Sequence, residues 1–449
     1  MSSAETAAAS HAESQRLLGR LVANFGWLGA QKIAVILIGL ATTGIVARHL
    51  GPEQMGILGA AQALATMLGV AAMGIDSTVL TSWLLKNPEN EDGVMGGTAC
   101  VLAVTGTLSW IVLCAWAWFI EDGSWIVRVT AIVAGLRMLL MFPAPIAVWF
   151  QSRMHTREVV VANTAGTLAL RGWQLLCSAS GGGVIRVALA EFVCFATVTW
   201  FSLRAFYRHG RTPLTWRADW GTGWSIFLQS LPALFAASLV TFLSKVDVIM
   251  LRHLAGDAEV GLFNAATSMT ESLMFFSGMT VTVFSPVLAR SFHHDPERYD
   301  RQRRGYMRFT VLLGWLFALG LCFFSGFIIQ IVFGAQYSAS AGVLAVHGFL
   351  IVPAMLGAAL QCQLAIEHRL VWLTAMLGMA LALDIVLNAL LIPPMGAQGA
   401  ALASVLAAVM AYAIAPLLLP ATRALGWLSL KSLFAPFPRR ADLAAFKAG

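Results

Sequence analysis

Long apolar runs separated by short polar breaks organise this chain from about residue 21 to about residue 420. The runs are continuous and do not alternate, and about twenty apolar residues are what a helix needs to cross the ~30 Å hydrocarbon core of a bilayer. Because backbone polar groups cannot go unpaired in hydrocarbon, runs of this kind are helices, not isolated strands. The pattern predicts twelve, at roughly 21–47, 54–84, 96–120, 124–150, 158–179, 185–206, 223–251, 258–289, 305–333, 339–366, 370–392 and 397–420. The third is the clearest, with no charge between Gly96 and Ile120. The fifth and sixth are the least clear, because Arg171 and Glu191 interrupt short runs and Gly181-Gly182-Gly183 is the only turn signal between them.

Composition agrees. Of the 449 residues 58% are hydrophobic and 11% are charged, with a mean hydropathy of +0.76, whereas about a quarter of a soluble domain is charged. Six cysteines lie inside apolar runs without CxxC or Cys/His spacing and read as small buried hydrophobes. No metal or cofactor is implied. The first twenty residues are polar and carry Arg16 and Arg20, so targeting is expected from the first span itself.

Counting Lys and Arg in the connections sets the orientation. With the N-terminus cytoplasmic, 21 of the 29 basic residues fall on the inner side and three, Arg48, Arg186 and Arg252, on the outer side. Both termini are therefore predicted to be cytoplasmic. The net charge of +7 is largely this inner bias plus a few membrane cations, and no groove-binding or stacking motif points to nucleic acid. The outer connections are short, and the longest polar ones, 204–222 and 290–304, are basic and poor in paired carboxylates. That disfavours a membrane glycosyltransferase or polysaccharide polymerase, which needs a loop to carry catalytic groups. There is no P-loop, so ATP is not the direct driver.

A repeat runs through the chain. Arg48-His49-Leu50 leads to Gly56, Ala60 and Ala61, and Arg252-His253-Leu254 leads to Gly261, Ala265 and Ala266, offset by 204 residues at the arginines and 205 from the glycines. Near the end of each half, Gly183-Val184-Ile185-Arg186-Val187-Ala188 matches Gly396-Ala397-Gln398-Gly399-Ala400-Ala401 at an offset of 213. An even number of spans per half makes the repeats parallel, related by an axis along the membrane normal. The expected layout is an interfacial segment at 1–20, a first lobe of six helices at 21–206, a basic linker at 207–222, a second six-helix lobe at 223–420 and a basic amphipathic tail at 421–449, with both end segments lying on the anionic inner leaflet.

The string Ala47-Arg48-His49-Leu50-Gly51-Pro52-Glu53-Gln54-Met55-Gly56 resembles the junction of the Wzx-type oligosaccharide-lipid flippases of the multidrug/oligosaccharidyl-lipid/polysaccharide (MOP) exporter superfamily. Asp247-Val248-Ile249-Met250-Leu251 with Glu259-Val260-Gly261-Leu262-Phe263-Asn264, and Pro394-Met395-Gly396-Ala397, extend the resemblance over about residues 20–420. Family members usually carry tyrosines where this chain has His49 and Phe263. The resemblance implies two lobes around a central cavity, as in MATE transporters, in a bacterial inner membrane. It also implies a lipid-linked oligosaccharide substrate on an undecaprenyl diphosphate carrier, contact with membrane lipids and polysaccharide assembly proteins, and a role in exopolysaccharide or lipopolysaccharide synthesis.

Ionisable groups at mid-bilayer cost about 2.5–3.5 kcal/mol on insertion scales and mark function by default. Central cations fall in the first half, at Lys32, Arg137 and Arg171, and central anions in the second, at Glu271 and Asp384. Lys245, Asp247, Asp76 and Glu191 fall nearer span ends. In one reading Lys32, Arg137 and Arg171 line the cavity and hold a diphosphate, for which the planar fork of arginine is suited. In the other they pair with Glu271, Asp384 or Asp76 across the lobe interface. Glu271 and Asp384 are also candidates for proton or sodium coupling. Lys245 and Asp247, two apart, do not share a helix face and are gate candidates, while Arg48 and Arg252 fall at the cavity mouth. The expectation is an alternating-access flippase and not an enzyme. Two alternatives stand beside it: a cation-coupled drug or metabolite antiporter of the same superfamily, and the membrane glycosyltransferase or polymerase already disfavoured.

Overall fold

The computed structural model describes residues 35–119, 124–437 and 442, with the backbone of the first helix traced from Ser3. Among the described residues all regular structure is helical. The first half contains α1 (Ser3–Met73), α2 (Ser77–Lys86), α3 (Glu91–Phe119), α4 (Trp125–Gly135), α5 (Ala144–Ser152), α6 (Thr156–Ala179) and α7 (Val184–Arg208). The second contains α8 (Trp220–Ala255), α9 (Asp257–Leu273), α10 (Phe275–His294), α11 (Pro296–Val332), α12 (Ser340–His347), α13 (Ile351–Ile366), α14 (Leu370–Met395), α15 (Ala397–Val409), α16 (Ala415–Leu418) and α17 (Arg423–Phe434). Among the described residues nine helices are long and apolar enough to cross a membrane, or ten with α4 and α5 taken as one span bent by 42°. The first of these, Val35–Lys86, holds two predicted spans, because the chain turns at Gly51 (φ 75°, ψ 170°) without leaving α1. The twelfth is α6, whose Arg157, Glu158, Asn163 and Arg171 leave it too polar to count alone.

Several predicted spans are broken where hydropathy reads straight through. The second stops at Gly74 (φ 52°) and restarts at α2, where the Asp76 carboxylate accepts hydrogen bonds from the N–H groups of Thr78 (2.9 Å) and Val79 (3.1 Å). That is N-capping, which satisfies two otherwise unpaired donors. The eighth breaks at Met274, between α9 and α10. The fourth and tenth carry 3₁₀ turns at corresponding places, Leu136–Leu140 and Gly348–Leu350. A few irregular residues inside an apolar run leave its hydropathy unchanged, so the pattern cannot show them.

The bundle has two lobes around a central cavity, and the repeat is visible in the backbone. Gly51 and Gly256 occupy equivalent positions with equivalent positive φ, 75° and 94°, a region open to glycine because it lacks Cβ. Each is followed by the helix that carries the repeated Gly, Ala and Ala positions. Gly183 and Gly396 likewise stand at the N-caps of α7 and α15, the last long helix of each half.

The first part of α8 crosses over. Ile226 and Phe227 pack in the first-lobe core with Leu80, Met95 and Phe206, and the backbones of Gly97 and Gly223 touch so closely that a Cβ on either would overlap the other chain segment. Beyond Pro232, Val248 and Leu251 join the second-lobe core. The linker before α8 is held down as well: Arg217 N–H donates to the Asp92 carbonyl (3.2 Å), and Arg211 pairs with buried Glu91 (2.6 Å), which also pairs with Arg153. At the start of α8 the Asp219 carboxylate accepts from the Thr222 hydroxyl (2.6 Å) and N–H (3.0 Å), which holds its pKa below the usual carboxylate range.

Trp149 is buried beside Glu91 with Arg153 and Arg211 over its ring. The tail helix α17 packs Leu425 and Leu428 onto the second lobe and leaves Trp427 exposed.

Candidate transport site

The two copies of the repeated motif meet. A Cβ on Gly56 would overlap the carbonyl oxygen of Asp257, and a Cβ on Gly261 would overlap that of Pro52. Since Pro52 and Asp257 are themselves equivalent in the repeat, the contact is reciprocal, with each motif's glycine receiving the other's backbone. Ala60, Ala265 and Ala266 continue the seam as buried small residues of one core cluster, which is how helices approach closely in a membrane, while Ala61 packs into the first-lobe core. Arg48 donates to the Ile331 carbonyl at the end of α11, and the carbonyls of Arg48 and Ala47 accept from Gln336 Nε2 and Tyr337 Oη, each at 3.0 Å. Arg252 pairs with Asp257 at 2.8 Å. Both mouth candidates therefore sit on a closed seam at the motif side of the bundle.

Among the described residues, the central charges do not pair across the lobe interface. Lys32 lies outside the residues whose side chains are described. Arg137 lies in the 3₁₀ turn after α4, where its Nη1 faces Glu191 of α7 (3.4 Å), its Nη2 donates to Thr66 of α1 (2.9 Å) and its guanidinium covers Phe195. Glu191, expected near a span end, is thus the counter-ion within the same lobe. Arg171, half-buried on α6, donates to Gln174 Oε1 (3.0 Å) and Thr43 Oγ1 (3.4 Å) beside Gly39 of α1. It has no carboxylate within 4.0 Å among the described residues. Asp76 serves as the cap of α2 and pairs with no cation among the described residues.

The second lobe gathers its charges. Lys245 and Glu271 face each other at 3.0 Å, half-buried and exposed respectively. Asp247, two residues on, points the other way, as helical geometry requires. It is buried, 4% exposed, although its position in the sequence falls near a span end. Its carboxylate accepts from Asn388 Nδ2 (2.6 Å) and the Ser404 hydroxyl (2.5 Å). Asp384, fully buried, lies against Asp247 and Asn388 with no donor in hydrogen-bonding geometry. No Lys, Arg or His nitrogen lies within 4.0 Å of either carboxylate among the described residues. A cavity of about 230 Å³ opens beside this group, lined by Lys245, Asp247, Glu271, His347 and Ser404 among others. A cluster of two carboxyls, an amide and a hydroxyl in a buried site offers oxygen ligands to a small cation, or one shared proton.

Asn388, Ser404 and Thr66 do not stand out in the sequence, and Glu191 stands out there only as a charge near a span end. Asp384 and Asn388 are four apart on one helix face, a legible spacing. Ser404 sits in an alanine-rich string and Thr66 in an apolar run, and neither has a local signal.

Against known proteins, a family profile described as "Polysaccharide biosynthesis protein" matches residues 21–292. Among solved structures, an inward-facing multidrug resistance MATE family transporter of the MOP superfamily aligns with TM-score 0.69 at 12% identity, covering 89% of this chain and 95% of that one. The lipid II flippase MurJ, in an inward closed conformation, aligns with TM-score 0.67 at 13% identity, covering 92% and 94%. The MATE multidrug transporter DinF-BH aligns with TM-score 0.58 at 16% identity, covering 88% and 94%. No curated protein matches the sequence. At these identities the structural likeness establishes the fold, a multi-pass bundle shared with transporters and flippases. With the profile covering more than half of the residues, the chain belongs to the polysaccharide biosynthesis protein family.

Proposed function

We propose that this chain flips a lipid-diphosphate-linked oligosaccharide repeat unit from the cytoplasmic to the outer leaflet of a bacterial inner membrane, by alternating access, with both termini cytoplasmic. The observation that carries the reading is Arg171. Among the described central charges, Arg137 pairs with Glu191 and Lys245 with Glu271, whereas Arg171 has no carboxylate within 4.0 Å. A diphosphate is the anion its planar donors fit. The glycine seam closes the motif side, taken as the outer side, so delivery requires the two motifs to part while the lipid tail stays in the bilayer. The family membership and the flippase-like fold support the same reading.

In this mechanism Asp247 and Asp384 take the coupling ion. Two buried carboxyls in contact need a shared proton or a bound cation, and Glu271, expected as a partner in that role, is occupied by Lys245. The same acidic cluster also suits a cation-coupled antiporter of the superfamily. Deleting the gene and following lipid-linked sugars in each leaflet separates the two. Accumulation on the inner leaflet, restored by the wild-type gene and not by Arg171→Gln, is the expected result; unchanged outward delivery with new drug sensitivity favours the antiporter.

A further inference from the structure

A second basic site lies away from the central cavity, between the start of α11 and the tail helix α17. It is a pocket of about 420 Å³ lined by Asp300, Arg303, Arg304, Arg308, Trp427 and Lys431, among others. Four cations thus face one carboxylate of the pocket wall. Asp300 is shared by Arg303 (2.5 Å) and Arg304, and Arg303 also reaches Glu367 at 3.6 Å. The remaining positive charge is met by the tail: Asp442 places one carboxylate oxygen 2.8 Å from Arg308 Nη1 and the other 3.8 Å from Arg304 Nε.

Arg308 is built into the fold, its side chain 10% exposed, and its Nε is a buried N–H with no acceptor among the described residues; Arg303 Nε is the same. Lys431, exposed on α17, makes no ion pair among the described residues. Buried guanidinium donors left without acceptors are costly unless an anion completes them.

We propose that this pocket binds a phosphate headgroup, and that the Asp442 carboxylate occupies it here as an internal substitute. A carboxylate and a lipid phosphodiester present the same face to arginine, two oxygens sharing one negative charge. Trp427 in the pocket wall and the aromatics that follow it along the chain point to the source. Trp427, Phe434 and Phe437 are exposed along α17 and just beyond it, and aromatics of this kind settle at headgroup depth. Basic pockets between helices at that depth hold anionic lipid headgroups. The site is independent of the flipped substrate, since it lies outside the central cavity and shares no residue with it.

The test uses the full chain in neutral detergent, with thermal unfolding read against added dihexanoyl phosphatidylglycerol, dihexanoyl phosphatidylcholine, and potassium phosphate matched in ionic strength by potassium chloride. Ligand binding to the folded state raises the midpoint with concentration. Phosphatidylglycerol should stabilise more than phosphatidylcholine. Asp442→Asn, which removes the competing carboxylate, should lower the half-saturating concentration by about tenfold, and Lys431→Gln, an exposed change that leaves the core intact, should raise it. A response to phosphatidylglycerol alone assigns the site to lipid, and an equal response to potassium phosphate assigns it to free phosphate. Equal stabilisation by the two lipids in both wild type and Asp442→Asn, with no response to potassium phosphate, overturns the proposal.

Discussion

The two lobes share a backbone and differ in chemistry. In the first, Arg137 is matched to a single carboxylate and Arg171 to none among the described residues. In the second, Asp247, Asp384, Asn388 and Ser404 converge in one buried cluster, and the exposed ion pair Lys245–Glu271 stands beside it. Duplication supplied two equivalent frames, and substitutions within them left central arginines in one half and a buried carboxyl cluster in the other. The glycine seam remained common to both, because there a side chain on either copy meets the backbone of the other.

The seam gives the largest expected effect and tests the symmetric part of that contrast. Gly261→Leu and Gly56→Leu should each abolish transport, since a carbonyl cannot swing aside as a flexible side chain does. A cysteine placed at Ala60, buried in the closed seam, should change from protected to reactive toward an impermeant thiol reagent in both variants. If one glycine tolerates leucine and the other does not, the reciprocal contact is wrong.

The asymmetric part is tested by charge. Arg171→Gln should lower leaflet-resolved transport by roughly 10- to 150-fold, the equivalent of about 1.5–3 kcal/mol for hydrogen bonds to a charged group. Arg171→Lys should recover part of that, keeping the charge and losing the fork. In the second lobe, Asp384→Asn and Asp247→Asn should flatten the dependence of transport on pH or sodium measured in vesicles, whereas Glu271→Gln should leave it in place. Loss of the dependence in Glu271→Gln would move the coupling site to the exposed pair.

Smaller effects rank the ion pairs. Glu191→Gln leaves Arg137, 16% exposed, without its counter-ion; the cost should be about 1–3 kcal/mol, below the value for a fully buried pair, read as a lower unfolding midpoint. Glu271→Gln should cost less than ~1 kcal/mol, because that pair is largely solvated. A reversed order would mean that the burial of the two sites has been misjudged.

Much of this was legible from residue order. Hydropathy gave the spans, because each helix must be apolar over the thickness of the bilayer whatever its neighbours are. The repeated arginine, glycine and alanine positions gave the doubling, and the charge positions gave the contrast between halves. The helix interruptions at Gly74 and Met274 were hidden, since they leave the hydropathy of their runs unchanged. So was the crossover of α8, because the linker boundary is marked by composition while packing is decided by which surface Ile226 can reach.

The sequence by itself determined a doubled helical membrane protein with cations in one half and acids in the other, because span length, repeat and charge are local properties. Only the tertiary structure decided which charges meet. Arg137 finds Glu191 across 54 positions, Asp247 finds Asn388 across 141 and Ser404 across 157, and Gly56 finds the backbone of Asp257. Those partners are set by how helices cross, and in a low-dielectric interior the partner, more than the residue, fixes what a charge can do.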